Sequence, residues 1–167
     1  MSENATSIPF WDNLFRSRHD WKYEAVRLLA DTPIFSVVPK RVLRSLVDGM
    51  YHRHYQNGEA VFNAGDPGLG MYLVLSGTVA IQLNKRKLAE LKKGDFFGEV
   101  ALFGEELRTA DAIADEQCEL LGFFRPDLQE WVERNPKLGV KVLLQLGKVL
   151  AERLRSTNQR LIATQES

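Results

Sequence analysis

Between Tyr51 and Phe124 the chain changes texture every few residues, and that rhythm restricts the fold more than any other feature. Runs of β-branched and aromatic residues alternate with turn chemistry at Asn57-Gly58, Gly65-Asp66-Pro67, Ser76-Gly77, Asn84-Lys85 and Lys93-Gly94-Asp95. Val79-Ala80-Ile81-Gln82-Leu83 and Leu120-Leu121-Gly122-Phe123-Phe124 are strand-length runs. Asparagine and glycine accept the backbone that tight hairpins need. Short, turn-linked strands predict a small antiparallel β-barrel or jelly roll over residues 51–124. The apolar turn Val100 to Phe103 should interrupt it as a short helix.

Helical spacing flanks this block. Trp21 to Leu29 carries Ala25, Leu28 and Leu29 on one side, and a second helix follows Ser36 with Val42, Leu43, Leu46 and Val47 inward. Pro39 suits its first turn and Gly49 its end. After Pro126, Asp127 to Glu133 should form a short helix with Leu128 and Trp131 inward, stopped by Asn135-Pro136. A long helix then starts at about Lys137, its stripe running Leu143, Leu146, Leu150, Leu154, Thr157 and Leu161. The expected organisation is an N-terminal arm over 1–20 and one domain over 21–167. Within that domain the helices span 21–50, the β-barrel 51–124 and the C-terminal helices 127–161.

The balance of charge limits the partners. Lysine plus arginine equals aspartate plus glutamate, 22 against 22, so net charge gives no pull toward nucleic acid or membrane. The basic residues of the final helix (Lys137, Lys141, Lys148, Arg153, Arg155, Arg160) read as a solvated face. A single cysteine, Cys118, forms no internal disulfide and fits a reducing compartment and a place in the core. No apolar run reaches the roughly 18 residues of a membrane span, and no secretory pattern opens the chain. The expected location is cytoplasmic.

Phe97 to Ala110, F-G-E-V-A-L-F-G-E-E-L-R-T-A, concentrates the chemistry. A glycine lets backbone N–H groups approach an anion. A guanidinium meets phosphate oxygens in a charge-assisted contact. A carboxylate accepts a hydrogen bond from a ribose hydroxyl. Gly98, Arg108 and Glu99 supply those parts. Alone, Arg108 would equally suit a surface pair with Glu105 or Glu106, and Glu99 the start of a helix.

The stretch resembles the phosphate-binding cassette of cyclic-nucleotide-binding domains. Tyr55-Gln56-Asn57-Gly58-Glu59, then Val61-Phe62, resemble that family's first turn and strand. Gly65-Asp66-Pro67 with Met71 to Gly77 resemble its second, and Lys92-Lys93-Gly94-Asp95-Phe96-Phe97 lead into the cassette. The resemblance spans roughly residues 30 to 161. It implies a cyclic-AMP or cyclic-GMP ligand with no other cofactor, phosphate on Arg108 and the ribose 2′-hydroxyl on Glu99. Gly98, Val100 and Ala101 would act through their backbone. Thr109 would reach phosphate or purine, or simply begin a strand, so adenine and guanine both stay open. Arg155-Ser156-Thr157-Asn158 resembles the family's segment that meets the purine across a dimer, which makes Thr157 and Asn158 candidates. Thr157 is otherwise a polar position in a helical seam.

Asp111 departs from the pattern: turned inward it would repel a phosphate, turned outward it is harmless. His52 and His54 share one strand face, and without a cysteine or further histidine at ligand spacing they are read as solvent-facing, with no metal. No nucleophile or metal motif supports catalysis. Only Ile162 to Ser167 follow Leu161, so no DNA-binding domain is expected. The expected role is a homodimeric sensor, joined through its final helix and signalling to an unidentified effector protein. The alternative is a ligand-free dimerisation scaffold that keeps the fold.

Overall fold

A computed structural model describes residues 10–165, with side chains from Trp21 to Ala163. Helix α1 (Phe10–Asp31) crosses the expected boundary at residue 20, so the second half of the expected arm is helical. The rest of that arm, residues 1–9, lies outside the described residues. Helix α2 (Lys40–Asp48) buries Leu43, Leu46 and Val47, with Pro39 as its N-cap rather than inside its first turn.

Eight strands follow: β1 (Tyr51–Tyr55), β2 (Ala60–Phe62), β3 (Gly70–Ser76), β4 (Val79–Leu83), β5 (Arg86–Leu91), β6 (Phe96–Phe97), β7 (Asp111–Ala114) and β8 (Cys118–Phe124). They form two four-stranded antiparallel sheets, ordered β1-β8-β3-β6 and β2-β7-β4-β5. Of the two forms expected, the fold is the jelly-roll arrangement of two sheets rather than a closed barrel. Asn84 and Lys85, at φ 50° and 65°, make the two-residue left-handed turn that joins β4 to β5.

Side-chain alternation explains the layering. On β3, Met71, Leu73 and Leu75 enter a core shared with the helices. Val74 and the half-buried Tyr72 enter a second core between the sheets. On β8, Leu121 and Phe123 join the first core, while Cys118 and Leu120 join the second. Both strands are therefore apolar throughout, as strands buried on two faces must be.

Helix α3 (Arg125–Arg134) buries Leu128 and Trp131. Helix α4 (Pro136–Gln165) follows directly. Its inward residues are Val142, Leu146 and Val149. The expected stripe divides along the helix: Leu146 belongs to the core and Leu143 packs against it, whereas Leu154 and Leu161 are 62% and 58% exposed. From Ala151 to Ala163 every residue of α4 is exposed. No helix among the described residues is long and apolar enough to cross a membrane.

Candidate functional site

A cavity of about 720 Å³ opens between the second sheet, the turn after β6, and α4. Its apolar wall includes Phe62, Ile81 and Leu91, and its polar groups converge from Gly98–Ala101, Arg108–Thr109 and α4. The expected short helix is a single 3₁₀ turn, Glu99–Leu102, capped by Gly98 at φ 76°. Glycine is required there twice over. The left-handed backbone disfavours a side chain, and an added Cβ would stand 2.7 Å from Arg108 Nη1 and 3.1 Å from the Gly70 carbonyl oxygen.

Arg108 is 9% exposed and points into the fold. Its Nη2 donates to the Gly70 carbonyl at 2.8 Å and its Nη1 to the Gly98 carbonyl at 3.2 Å. The guanidinium carbon lies 4.0 Å from the Phe62 ring centroid. Nε is buried with no hydrogen-bond partner among the described residues. Desolvation pulls the guanidinium pKa down, opposed by Tyr72, Asp66 and Glu99. Pairing with Glu105 or Glu106 is not what the fold does: Glu105 lies 4.0 Å from Arg125 instead. Arg108 is a cation clamped by two carbonyls at a cavity wall.

Glu99 is 2% exposed, and its Oε2 accepts from Nη1 of Arg153 at 2.8 Å. Arg153 Nη2 donates to the Phe96 carbonyl at 2.9 Å, so one guanidinium ties α4 to both ends of the β6 turn. Arg153 also lines the cavity. Sequence reasoning missed its role, because in a basic helix it looks like one more solvated side chain. The available signal was its place one turn before Thr157, on the same helical face.

The remaining expected residues divide. Val100, Ala101, Thr109 and Thr157 line the cavity, and Thr157 donates its hydroxyl proton to the Arg153 carbonyl at 2.9 Å. Asn158 is exposed and is not on this wall. Asp111 resolves outward: its Oδ1 accepts from the Ala64 N–H at 2.7 Å, closing the turn after β2. The feared repulsion is absent from the cavity wall. Cys118 is fully buried, and burial pushes its thiol up to about 11. His52 departs from the solvent-facing expectation: its side chain is only 16% exposed, Nε2 is 2.9 Å from Glu119 Oε2, and its ring stacks on Trp21.

The family profile described as Cyclic nucleotide-binding domain matches residues 52–135, from β1 through the cassette to the end of α3. The chain belongs to the cyclic nucleotide-binding domain family. This domain is 34% identical to the Cyclic AMP receptor protein of Thermus thermophilus over 78% of its length and 61% of the relative's. It is also 34% identical to the cAMP-dependent protein kinase regulatory subunit of Schizosaccharomyces pombe, over 70% of this chain and 27% of that one. The crystal structure of the Thermus thermophilus Catabolite Activator Protein superposes with a TM-score of 0.70 at 34% identity, covering 80% of this chain and 63% of that chain. The domain therefore spans about three fifths of the length of the bacterial relative it matches, and a smaller share of the kinase subunit.

Proposed function

We propose that this chain is a sensor that binds a cyclic nucleoside monophosphate in the cavity between the second sheet and α4. The observation that carries the reading is Arg108: a desolvated cation held by the Gly70 and Gly98 carbonyls, with a buried Nε that has no partner among the described residues. A cyclic phosphodiester monoanion would offset that desolvation and use donors that two carbonyls only partly satisfy. Glu99 faces the same cavity and accepts the ribose 2′-hydroxyl. Gly98, Val100 and Ala101 close around phosphate and sugar through their backbone, and Thr109 and Thr157 reach toward the purine. Asn158, off this wall, contributes from a second copy of the chain. The purine is adenine or guanine. The relatives that carry cyclic AMP in their names favour adenine.

Signalling follows from Arg153. A ribose hydroxyl bound to Glu99 competes with, or is bridged by, the guanidinium that holds α4 to the β6 turn. Ligand therefore biases α4 between two positions, and a coupling of about 1–3 kcal/mol suffices for a switch. Leu154 and Leu161, exposed on α4, join two copies of the chain as a homodimer, and a separate effector protein reads the change. The reading is of a binding module in the cytoplasm, with no catalytic step and no DNA contact. The ligand-free scaffold alternative rested on Asp111, which the Ala64 contact occupies.

Thermal unfolding with cyclic AMP, cyclic GMP and the open-chain 5′-monophosphates tests the reading. Cyclic AMP or cyclic GMP should raise the melting temperature while the open-chain compounds do not. Equal effects of cyclic and open forms would defeat it.

A further inference from the structure

On the helix-facing side of the first sheet, away from the nucleotide cavity, His52, His54 and Glu119 bring one ligand atom each to within 4.8 Å of one another. None of the three lines that cavity. We propose that they form a binding site for a late first-row divalent cation, zinc in the first instance.

The sheet builds this cluster. His52 and His54 are two apart on β1, hence on one face, and the antiparallel register sets His54 directly opposite Glu119 of β8. Nε2 of His52 already stands 2.9 Å from Glu119 Oε2, and Nδ1 of His54 stands 4.0 Å from Oε1. Zinc bound at roughly 2.0–2.2 Å to nitrogen and oxygen ligands holds them about 3–3.5 Å apart. With the three ligand atoms spread over 4.8 Å at most, the required closure is up to about 1.5 Å, and it falls mainly on His54, whose side chain is 58% exposed. The His52 ring is held in place by stacking on Trp21, with centroids 4.4 Å apart.

Two imidazoles and one carboxylate select zinc, nickel or copper over magnesium or calcium, which prefer all-oxygen sets. Three protein ligands leave a fourth position for water, as in exchangeable rather than closed zinc sites. The mechanical consequence is specific. β1 is an edge strand of its sheet, and the ion would pin it to β8 and, through Trp21, to α1.

The test is equilibrium dialysis of the full chain against zinc without nucleotide, with melting curves alongside. One ion per chain is expected, with a higher melting temperature when zinc is in excess. His54→Ala and Glu119→Gln should each weaken binding by more than ~10-fold, since even an indirect supporter of a metal ligand is worth that much. Both side chains are partly exposed, so these variants should fold. Glu130→Gln, altering an exposed α3 acid paired with Arg134 and outside the cluster, should bind as the parent does. Substoichiometric uptake by the parent, parent-like binding by His54→Ala, or equal loss in Glu130→Gln would each overturn the site. Because nucleotide is absent throughout, failure here leaves the sensor reading untouched.

Discussion

Glu99 and Arg153 are 54 residues apart in the chain, yet Arg153 Nη1 donates to the buried Glu99 carboxylate at 2.8 Å. The pair joins the floor of the cavity to α4, whose residues from Ala151 to Ala163 are all exposed. Breaking it should therefore affect stability and ligand response together. Arg153→Gln should lower stability by about 1–2 kcal/mol, less than a fully buried pair because Arg153 is 47% exposed. Combined with Glu99→Gln, the loss should be less than additive. A double-mutant cycle by urea unfolding measures the coupling; strict additivity would show that the pair does no work.

Arg108→Ala should remove nucleotide binding. Truncating one partner of a desolvated charge pair costs about 2–5 kcal/mol, a loss of ~30-fold to several thousand-fold. Arg108→Lys should not restore affinity, because an ammonium cannot serve the Gly70 carbonyl, the Gly98 carbonyl and the ligand in one plane. Unchanged circular dichroism would confirm that the fold survives.

Gly98→Ala should destabilise the domain by about 1–3 kcal/mol and weaken ligand binding in the same variant. The added methyl meets Arg108 Nη1 at 2.7 Å, so the guanidinium must leave its carbonyls. Melting temperature and ligand titration, measured together, check the linkage. A stable variant with parental affinity would contradict the geometry.

Cys118 should make the domain less stable in alkali. Burial raises its thiol from 9.0 to about 11. Below pH 9 the thiol is protonated in both folded and unfolded chains, and its contribution is intact. Between pH 9 and 11 the unfolded chain ionises first, so stability falls as pH rises, by at most about 1.4 kcal/mol per pH unit for one proton. Cys118→Ala should show a shallower decline over that window. In the parent, the thiol should resist an aqueous thiol reagent at pH 8 until the chain unfolds.

Leu154→Asp with Leu161→Asp should convert a dimer to a monomer in sedimentation. Both side chains are exposed in a single chain, so the melting of an isolated domain should hardly change.

How far the sequence could be read depended on where each physical signal lay. β3 and β8 were legible because strands buried on both faces are apolar runs between turn residues. β5 was not: Arg86–Leu91 is exposed almost throughout and carries no alternation, and only the Asn84-Lys85 turn announces it. On α4 the helical period was plain, but not where its apolar stripe passes from the core into solvent. Val142, Leu146 and Val149 face the core with Leu143 packed against it, while Leu144, Leu154 and Leu161 are exposed, and period alone does not separate two apolar faces. Gly98, Glu99 and Arg108 lie within a single short stretch, so their chemistry could be assembled locally. The partners of Arg153 and of His52 depend on how α4 packs and how β1 registers with β8; the spacing of Arg153 from Thr157 shows only that the two share a helical face.

Calorimetric titration of the parent and of Arg108→Ala with cyclic AMP and cyclic GMP tests the central claim most directly. The account predicts saturable heat with at least one cyclic nucleotide for the parent, at one ligand per chain, and none for a well-folded Arg108→Ala. No heat from either nucleotide with the parent, or equal affinity in the variant, would contradict it.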